Sequence, residues 1–137
     1  MKSQKPILLV EDDLVDIMTI KRALKDIHVS NEIVSARNGE EALTYLQNQD
    51  NESPCLVLLD LNMPRMNGLE FLREARTHHL LTTSPVIILT TSREEMDRME
   101  SFRLYAAGYM VKPVDYLQFV EVVRTIHDYW TLSELPN

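Results

Sequence analysis

The chain of 137 residues has little of what several classes of protein require. Its single cysteine, Cys55, excludes an intramolecular disulfide and fits a reducing cytosol, and its position directly before a predicted strand favours a structural role over a reactive one. No run of about 18 apolar residues is present to cross a membrane, and no signal peptide is recognisable. The net charge of −7 argues against a nucleic-acid surface, which would need clustered Lys and Arg. We therefore expect a cytoplasmic protein without a membrane or nucleic-acid partner.

The residues that two further kinds of binding site require are also missing from the sequence. The histidines are scattered along the chain, and no Cys or His cluster with zinc-ligand spacing accompanies them: His28, His78, His79 and His127. No loop rich in Ser, Thr and Gly follows the first apolar run, where a flavin carrier of α/β topology would bind its phosphate. A zinc site and a flavin-binding module are therefore both disfavoured.

What the chain does have is a set of short apolar runs that end in reactive side chains. Four runs have this form: 7–10 before Glu11-Asp12-Asp13, 56–59 before Asp60, 86–89 before Thr90, and 109–111 before Lys112-Pro113. Short apolar runs of this kind are typical of parallel strands buried on both faces. Ligands bind such sheets outside the carboxyl ends of the strands. Several carboxylates, a hydroxyl and an ammonium are thus expected in one crevice.

Segments with helical spacing separate the runs. The first is expected from near Asp13 to about Ile27, and four others open on a capping-box pattern at Asn38, Asn67, Ser92 and Asp115. A further strand is expected near residues 32–36. Five strands alternating with five helices predict a doubly wound (βα)₅, flavodoxin-like α/β fold with strand order 2-1-3-4-5. We expect one domain over 1–137, with a core of about 5–129, a polar loop at 47–54 and a short tail at 130–137.

The acidic residues at the strand ends suggest a metal site. At an effective dielectric constant near 20, two like charges about 4 Å apart repel by on the order of 4 kcal/mol, so clustered carboxylates need a cation. Ligands that are all oxygen favour Mg²⁺. Asp13 and Asp16 are explained as the N-cap and an acidic residue in the first turn of a helix. Glu11 and Asp12 are better explained as metal ligands.

Asp60 has no evident structural reason to end the most apolar strand. A carboxylate beside a bound Mg²⁺ can act as a nucleophile toward phosphorus. Thr90 and Lys112 can then donate hydrogen bonds to phosphoryl oxygens. Taken singly, Thr90 is also explained by β propensity and Lys112 as a solvated surface residue. Together with the carboxylates, those separate explanations require several coincidences.

In this order the motifs resemble those of the receiver domains of two-component response regulators, over nearly the whole chain. The resemblance rests on Glu11-Asp12, on Asp60 within Asp60-Leu61-Asn62-Met63-Pro64 and Gly68, on Thr90, and on Lys112-Pro113. Within that family, the loop after Asp60 and the segment 89–92 are similar to those of the stand-alone regulators that act with cyanobacterial phytochromes.

The resemblance implies a set of roles. Asp60 would accept a phosphoryl group from a sensor histidine kinase and lose it by self-catalysed hydrolysis. Mg²⁺ would be held by Glu11, Asp12, Asp60 and the backbone carbonyl of Asn62. Lys112 would contact the phosphoryl group, Thr90 and Tyr109 would form the switch, and a cis peptide bond would precede Pro113. Glu11 stands where many relatives have Asp, and the adjacent Asp13 leaves open which pair of acids binds the ion.

The expected output is a change in contacts with another protein. We expect no output domain, because the chain ends soon after the fifth helix. A homodimer through the fourth and fifth helices and the fifth strand, including apolar residues of the tail, is a hypothesis. So is a kinase partner of the phytochrome type. The alternative from the enzyme class is a small phosphatase with Asp60 as nucleophile, which is disfavoured because Asn62 stands where many such enzymes have a second Asp.

Overall fold

The computed structural model describes residues 4–132, in which five strands alternate with five helices. The strands are β1 (Ile7–Val10), β2 (Ile33–Ala36), β3 (Leu56–Leu59), β4 (Val86–Thr90) and β5 (Gly108–Val111). The helices are α1 (Leu14–Asp26), α2 (Gly39–Gln47), α3 (Gly68–Thr77), α4 (Glu95–Arg103) and α5 (Tyr116–Leu132). Within the described range, none of these helices has both the length and the apolar character needed to cross a membrane. Residues 133–137 and the side chains at 130–132, which the predicted tail includes, lie outside the described residues.

The strands form one parallel sheet in the order β2-β1-β3-β4-β5, so the predicted fold class and strand order are confirmed. β1 and β3 are neighbours, with Val10 opposite Leu59. Since the two strands end at the same level, the residues that follow them leave the sheet side by side. This register places the acidic residues of two distant segments at one edge.

A hydrophobic core lies on each face of the sheet. Successive residues of a strand point to opposite faces. Leu9 of β1 therefore packs with α1 and α5, through side chains such as Ile20 and Phe119. Leu8 of the same strand packs with α2 and α3, where Phe71 is fully buried. Because helices cover both faces of the sheet, the polar side chains associated with the central strands lie at the strand ends.

Two of the predicted capping patterns are confirmed by hydrogen bonds. The side chain of Asn38 accepts the N–H of Glu41 at 2.9 Å and begins α2. Asn67 and Glu70 form a reciprocal capping box that begins α3, with distances of 2.9 and 3.1 Å. Each cap satisfies N–H groups that the first helical turn leaves without a partner.

The prediction that Ser92 begins the fourth helix was wrong. α4 begins at Glu95, and its N-cap residue, Glu94, makes no capping hydrogen bond with its side chain. The Ser92 hydroxyl accepts the N–H of Glu94 at 3.3 Å and donates to Asp97 Oδ2 at 2.6 Å. Such local hydrogen bonds from a serine compete with helix formation, so the hydroxyl stabilises a loop before the helix instead.

The prediction of a cis peptide bond before Pro113 was also wrong. This bond is trans, and no cis bond occurs within residues 4–132. The trans form of a bond before proline is the more stable one by about 0.5–1 kcal/mol. Lys112 still donates its N–H to the carbonyl of Thr90 at 2.7 Å, so the hydrogen bonding between β4 and β5 continues to the residue before Pro113.

Cys55 lies just before β3 and is fully buried. Its thiol donates to the carbonyl of Lys5 at 3.3 Å and lies 3.8 Å from the side-chain nitrogen of Asn31. Burial raises the pKa of the Cys55 thiol above its ordinary value. A buried thiol held in its neutral form is a poor nucleophile.

We therefore expect Cys55 in the native protein to react with a disulfide reagent more slowly than in urea-unfolded protein, by about a hundredfold or more, because reaction requires opening of the fold. The absorbance of the released thiolate measures both rates. A native rate close to the unfolded one would contradict the buried position.

Candidate functional site

Backbone pairing brings the two acidic segments together. The Glu11 N–H donates to the carbonyl of Ala36 at 2.9 Å, and the Asp60 N–H donates to that of Val10 at 3.0 Å. Each acid thus follows the last residue of its strand while its own backbone remains hydrogen bonded. The main chain holds both residues, although 49 positions separate them in the sequence.

Three carboxylates form the centre of the site. One oxygen each from Glu11, Asp12 and Asp60 lies within 4.8 Å of the others. Glu11 is 1% exposed and Asp60 6% exposed, whereas Asp12 is half-buried. Carboxylates this close repel one another strongly when water is largely excluded. The cluster therefore favours a compensating cation.

The residues present fit a hard divalent cation. The donor set consists of oxygens only, as Mg²⁺ and similar ions prefer. In addition, Asp60 Oδ1 is buried and accepts no hydrogen bond from the described residues. A buried polar atom without a partner costs about 1–3 kcal/mol, more when charged. This oxygen is therefore available to a metal ion or to an incoming electrophile.

Lys112 supplies the positive charge. Its ammonium lies 2.5 Å from Glu11 Oε1, 2.7 Å from Asp16 Oδ2 and 3.7 Å from Asp60 Oδ2. Its side chain is only 5% exposed. The explanation of Lys112 as a solvated surface residue was wrong, because β5 directs it into the site.

The charges of these groups influence one another. Burial raises the pKa of the Glu11 carboxyl above its ordinary value, and the charge of Asp60 raises it further, against the hydrogen bond from Lys112. Burial alone would lower the pKa of Lys112. The hydrogen bonds to Asp16 and Glu11 and the charge of Asp60 outweigh burial and raise that pKa, so the side chain stays an ammonium at neutral pH.

The part that Asp16 plays in the site was not predicted from the sequence. Asp16 was explained only as an acidic residue in the first turn of α1, yet its carboxylate also binds Lys112. Residues three or four apart on a helix lie on the same face, so the spacing from Asp12 and Asp13 was the available signal. The partner itself follows 96 residues later, and no local pattern indicates it.

Asp13 has a structural part. Its side chain accepts the N–H of Asp16 at 3.1 Å as the N-cap of α1, as expected. It does not belong to the group of three close carboxylates found within the described residues.

Thr90 and Tyr109 are connected through Ser92. The fully buried Thr90 accepts the N–H of Ser92 on its Oγ1 at 3.3 Å. The hydroxyl of Tyr109 donates to the carbonyl of Ser92 at 3.0 Å. Through its own hydroxyl, Ser92 also contacts Asp97 in the first turn of α4. One loop residue thus joins the end of β4, an aromatic residue of β5 and the beginning of α4.

The loop after Asp60 is closed by a tight backbone approach. Gly68 donates its N–H to the carbonyl of Leu61 at 3.0 Å. A Cβ atom at Gly68 would lie 2.3 Å from the carbonyl oxygen of Asp60. The exposed Asn62, whose backbone carbonyl was assigned to the metal, lies inside this closed loop. Because Gly68 has no side chain, the end of the loop can pack closely against the backbone of Asp60, where the loop begins.

We expect Gly68→Ala to destabilise the protein by about 1–3 kcal/mol or more, because the clash is with backbone atoms that cannot move aside. Thermal unfolding measures the change. Gly108→Ala is the matched control: its Cβ would lie 3.0 Å from the end of the Ile87 side chain, which can rotate, so we expect little change. Equal losses in the two variants would contradict the tight approach at Gly68.

Comparison with known proteins agrees with this architecture. Residues 7–124 match the response regulator receiver domain family. The chain is 35% identical to response regulator Rcp1 of Synechocystis sp. over 130 residues, covering 92% of this chain and 88% of the relative. The structure of the phosphorylated cyanobacterial phytochrome response regulator RcpA superimposes with a TM-score of 0.90 at 36% identity, covering 98% of this chain and 100% of the other.

A second solved structure contains a metal ion. The Mn²⁺-bound form of Rcp1 has a TM-score of 0.88 and 34% identity to this chain, covering 97% of this chain and 99% of the other. Both the sequence match and the two superpositions extend over nearly the whole chain. The chain therefore belongs to the response-regulator receiver-domain family, among relatives that include cyanobacterial phytochrome response regulators.

Proposed function

We propose that this protein is a response regulator in which Asp60 accepts a phosphoryl group from a sensor histidine kinase in a Mg²⁺-dependent reaction. The observation that carries the proposal is the environment of the Asp60 carboxylate. It is buried beside two other acids and an ammonium, and its Oδ1 has no hydrogen-bond partner among the described residues. The membership of the family supports the same role.

The proposed reaction is a phosphoryl transfer between two side chains. A carboxylate oxygen of Asp60 attacks the phosphorus of a phosphohistidine, and the new O–P bond forms as the P–N bond breaks. The electron pair of the broken bond remains on the imidazole nitrogen, which takes up a proton. Catalysis of such a transfer depends mainly on positioning and on stabilisation of the phosphoryl charge.

The other side chains are assigned to holding charge. Glu11, Asp12, Asp60 and the backbone carbonyl of Asn62 are proposed to hold Mg²⁺, which when bound neutralises the phosphoryl oxygens. Lys112 is proposed to donate to a phosphoryl oxygen, since its ammonium lies 3.7 Å from Asp60. Thr90, at the end of the adjacent strand, would donate its hydroxyl.

The proposed switch passes through Ser92. If the Thr90 hydroxyl turns to the phosphoryl group, the hydrogen bond that its oxygen accepts from Ser92 changes, and with it the loop before α4. The Tyr109 hydroxyl, bound to the carbonyl of that same residue, would then be released to turn. Couplings of about 1–3 kcal/mol are typical for such two-state changes and alter the affinity for a partner several-fold or more.

We propose that the output is a protein contact at the face formed by α4, β5 and α5. α4 exposes three apolar side chains, Met96, Met99 and Phe102, each at least 47% exposed. Exposed apolar side chains of this size are common at interfaces. A homodimer through this face remains a prediction, as does a cytoplasmic location. The likeness to phytochrome response regulators supports a kinase partner of the phytochrome type.

We expect incubation with acetyl phosphate and Mg²⁺ to add one phosphoryl group to the protein, detected by intact mass. Asp60→Asn should abolish the addition, because an amide cannot form the acyl phosphate. Asp50→Asn is the matched control, since the exposed Asp50 lies in the loop after α2 and should leave the addition unchanged.

Two results would contradict the proposal. One is a phosphoryl group that still adds to folded Asp60→Asn. The other is rapid multiple turnover of a simple phosphate ester without a stable adduct, which would favour the phosphatase.

We also expect millimolar Mg²⁺ to raise the melting temperature, because a ligand that binds only the folded state stabilises it. The gain approaches about 2.7 kcal/mol when the ion exceeds its dissociation constant a hundredfold. Asp12→Asn should reduce the shift, whereas Asp50→Asn should retain it, both compared with NaCl at equal ionic strength. An equal shift in all three proteins would contradict the assigned ligands.

A further inference from the structure

The ammonium of Lys112 lies at unequal distances from three carboxylates. It has three N–H donors. Glu11 and Asp16 lie at 2.5 and 2.7 Å, within hydrogen-bond distance, whereas Asp60 lies at 3.7 Å, beyond it. The lysine is thus bound to two acids that are not the proposed phosphoacceptor and stands apart from the one that is.

The two carboxylates that bind Lys112 differ in burial. The side chain of Glu11 is 2% exposed, and that of Asp16 is 29% exposed. Releasing Glu11 would leave a buried carboxylate that, among the described residues, accepts only the Asp13 N–H at 3.3 Å, and this is costly. Releasing Asp16 would return a carboxylate to water at the positive end of α1, where its charge remains favourable. Of the two contacts, the one with Asp16 is therefore the easier to exchange.

We propose that Asp16 is a positioning residue that holds Lys112 away from Asp60, and that Lys112 exchanges the Asp16 carboxylate for a phosphoryl oxygen when Asp60 is phosphorylated. This inference rests on the proposed role of Asp60. Asp16 competes with the phosphoryl group for the position of the ammonium, because its contact at 2.7 Å keeps Nζ at 3.7 Å from Asp60. Its competition weakens the phosphorylated state relative to the free state.

The test compares two variants that remove the same charge from the same helix end. Asp16→Asn removes the carboxylate that binds Lys112. Asp13→Asn removes the neighbouring carboxylate, which accepts only the Asp16 N–H in the described contacts, and asparagine retains that N-cap. The general effect of losing one negative charge is therefore common to both variants. Any difference between them reports the contact with Lys112.

The probe is beryllofluoride, an analogue of the phosphoryl group, added to the full chain at saturating Mg²⁺ and followed by ¹⁹F NMR. We expect Asp16→Asn to bind the probe about fivefold or more tightly than Asp13→Asn, the size expected for losing one competing charge-assisted hydrogen bond at a partly exposed site. The Mg²⁺ affinity of the two variants, measured separately without the probe, should be similar.

Equal affinities of the two variants for beryllofluoride would overturn the inference, as would weaker binding by Asp16→Asn. A purely structural ion pair would lower the melting temperature of Asp16→Asn without changing its relative affinity for the probe. If Asp16→Asn does not fold, Asp16→Ser removes the same carboxylate and replaces it in the comparison. Failure of the wild-type protein to bind the probe would instead remove the proposed role of Asp60, so the two failures are distinct.

Discussion

The site depends on one cation held among like charges. Glu11, Asp16 and Asp60 surround the ammonium of Lys112, whose side chain is almost fully buried. One positive charge cannot balance these carboxylates together with that of Asp12. The remaining excess of negative charge makes a divalent cation favourable. A phosphoryl group added at this edge would compete with these carboxylates for the one ammonium.

The main chain maintains this unfavourable concentration of charge. β1 and β3 pair in a register that ends both strands at one level, and the N–H groups of Glu11 and Asp60 are bound to neighbouring strands. Hydrophobic burial on both faces stabilises those strands. Gly68 completes the support by allowing the loop to return against the carbonyl of Asp60. The stability of the sheet thus offsets the repulsion at its edge.

The connection of Ser92 to β4, β5 and α4 depends on where α4 begins. Had the helix begun at Ser92, the carbonyl of that residue would have entered the helical hydrogen bonds. Because α4 begins at Glu95, Ser92 instead binds Thr90, Tyr109 and Asp97 at once. The residue that sequence reasoning placed at a helix cap therefore connects β4, β5 and the exposed helix. A serine forms local hydrogen bonds both as a helix cap and in a loop, so the sequence pattern was compatible with either position for Ser92.

The fold and the residues that follow its strands were predictable from the sequence alone. Apolar runs, helical spacing and the cap at Asn67 act over a few residues, so they can be read locally. The trans bond before Pro113 agrees with the intrinsic preference of such bonds, against the expectation that the resemblance implied. The contact of Asp16 with Lys112 and the late beginning of α4 come only from the tertiary structure. Those outcomes depend on which side chains meet in the folded protein. A contact between residues 96 positions apart produces no periodic pattern in the sequence.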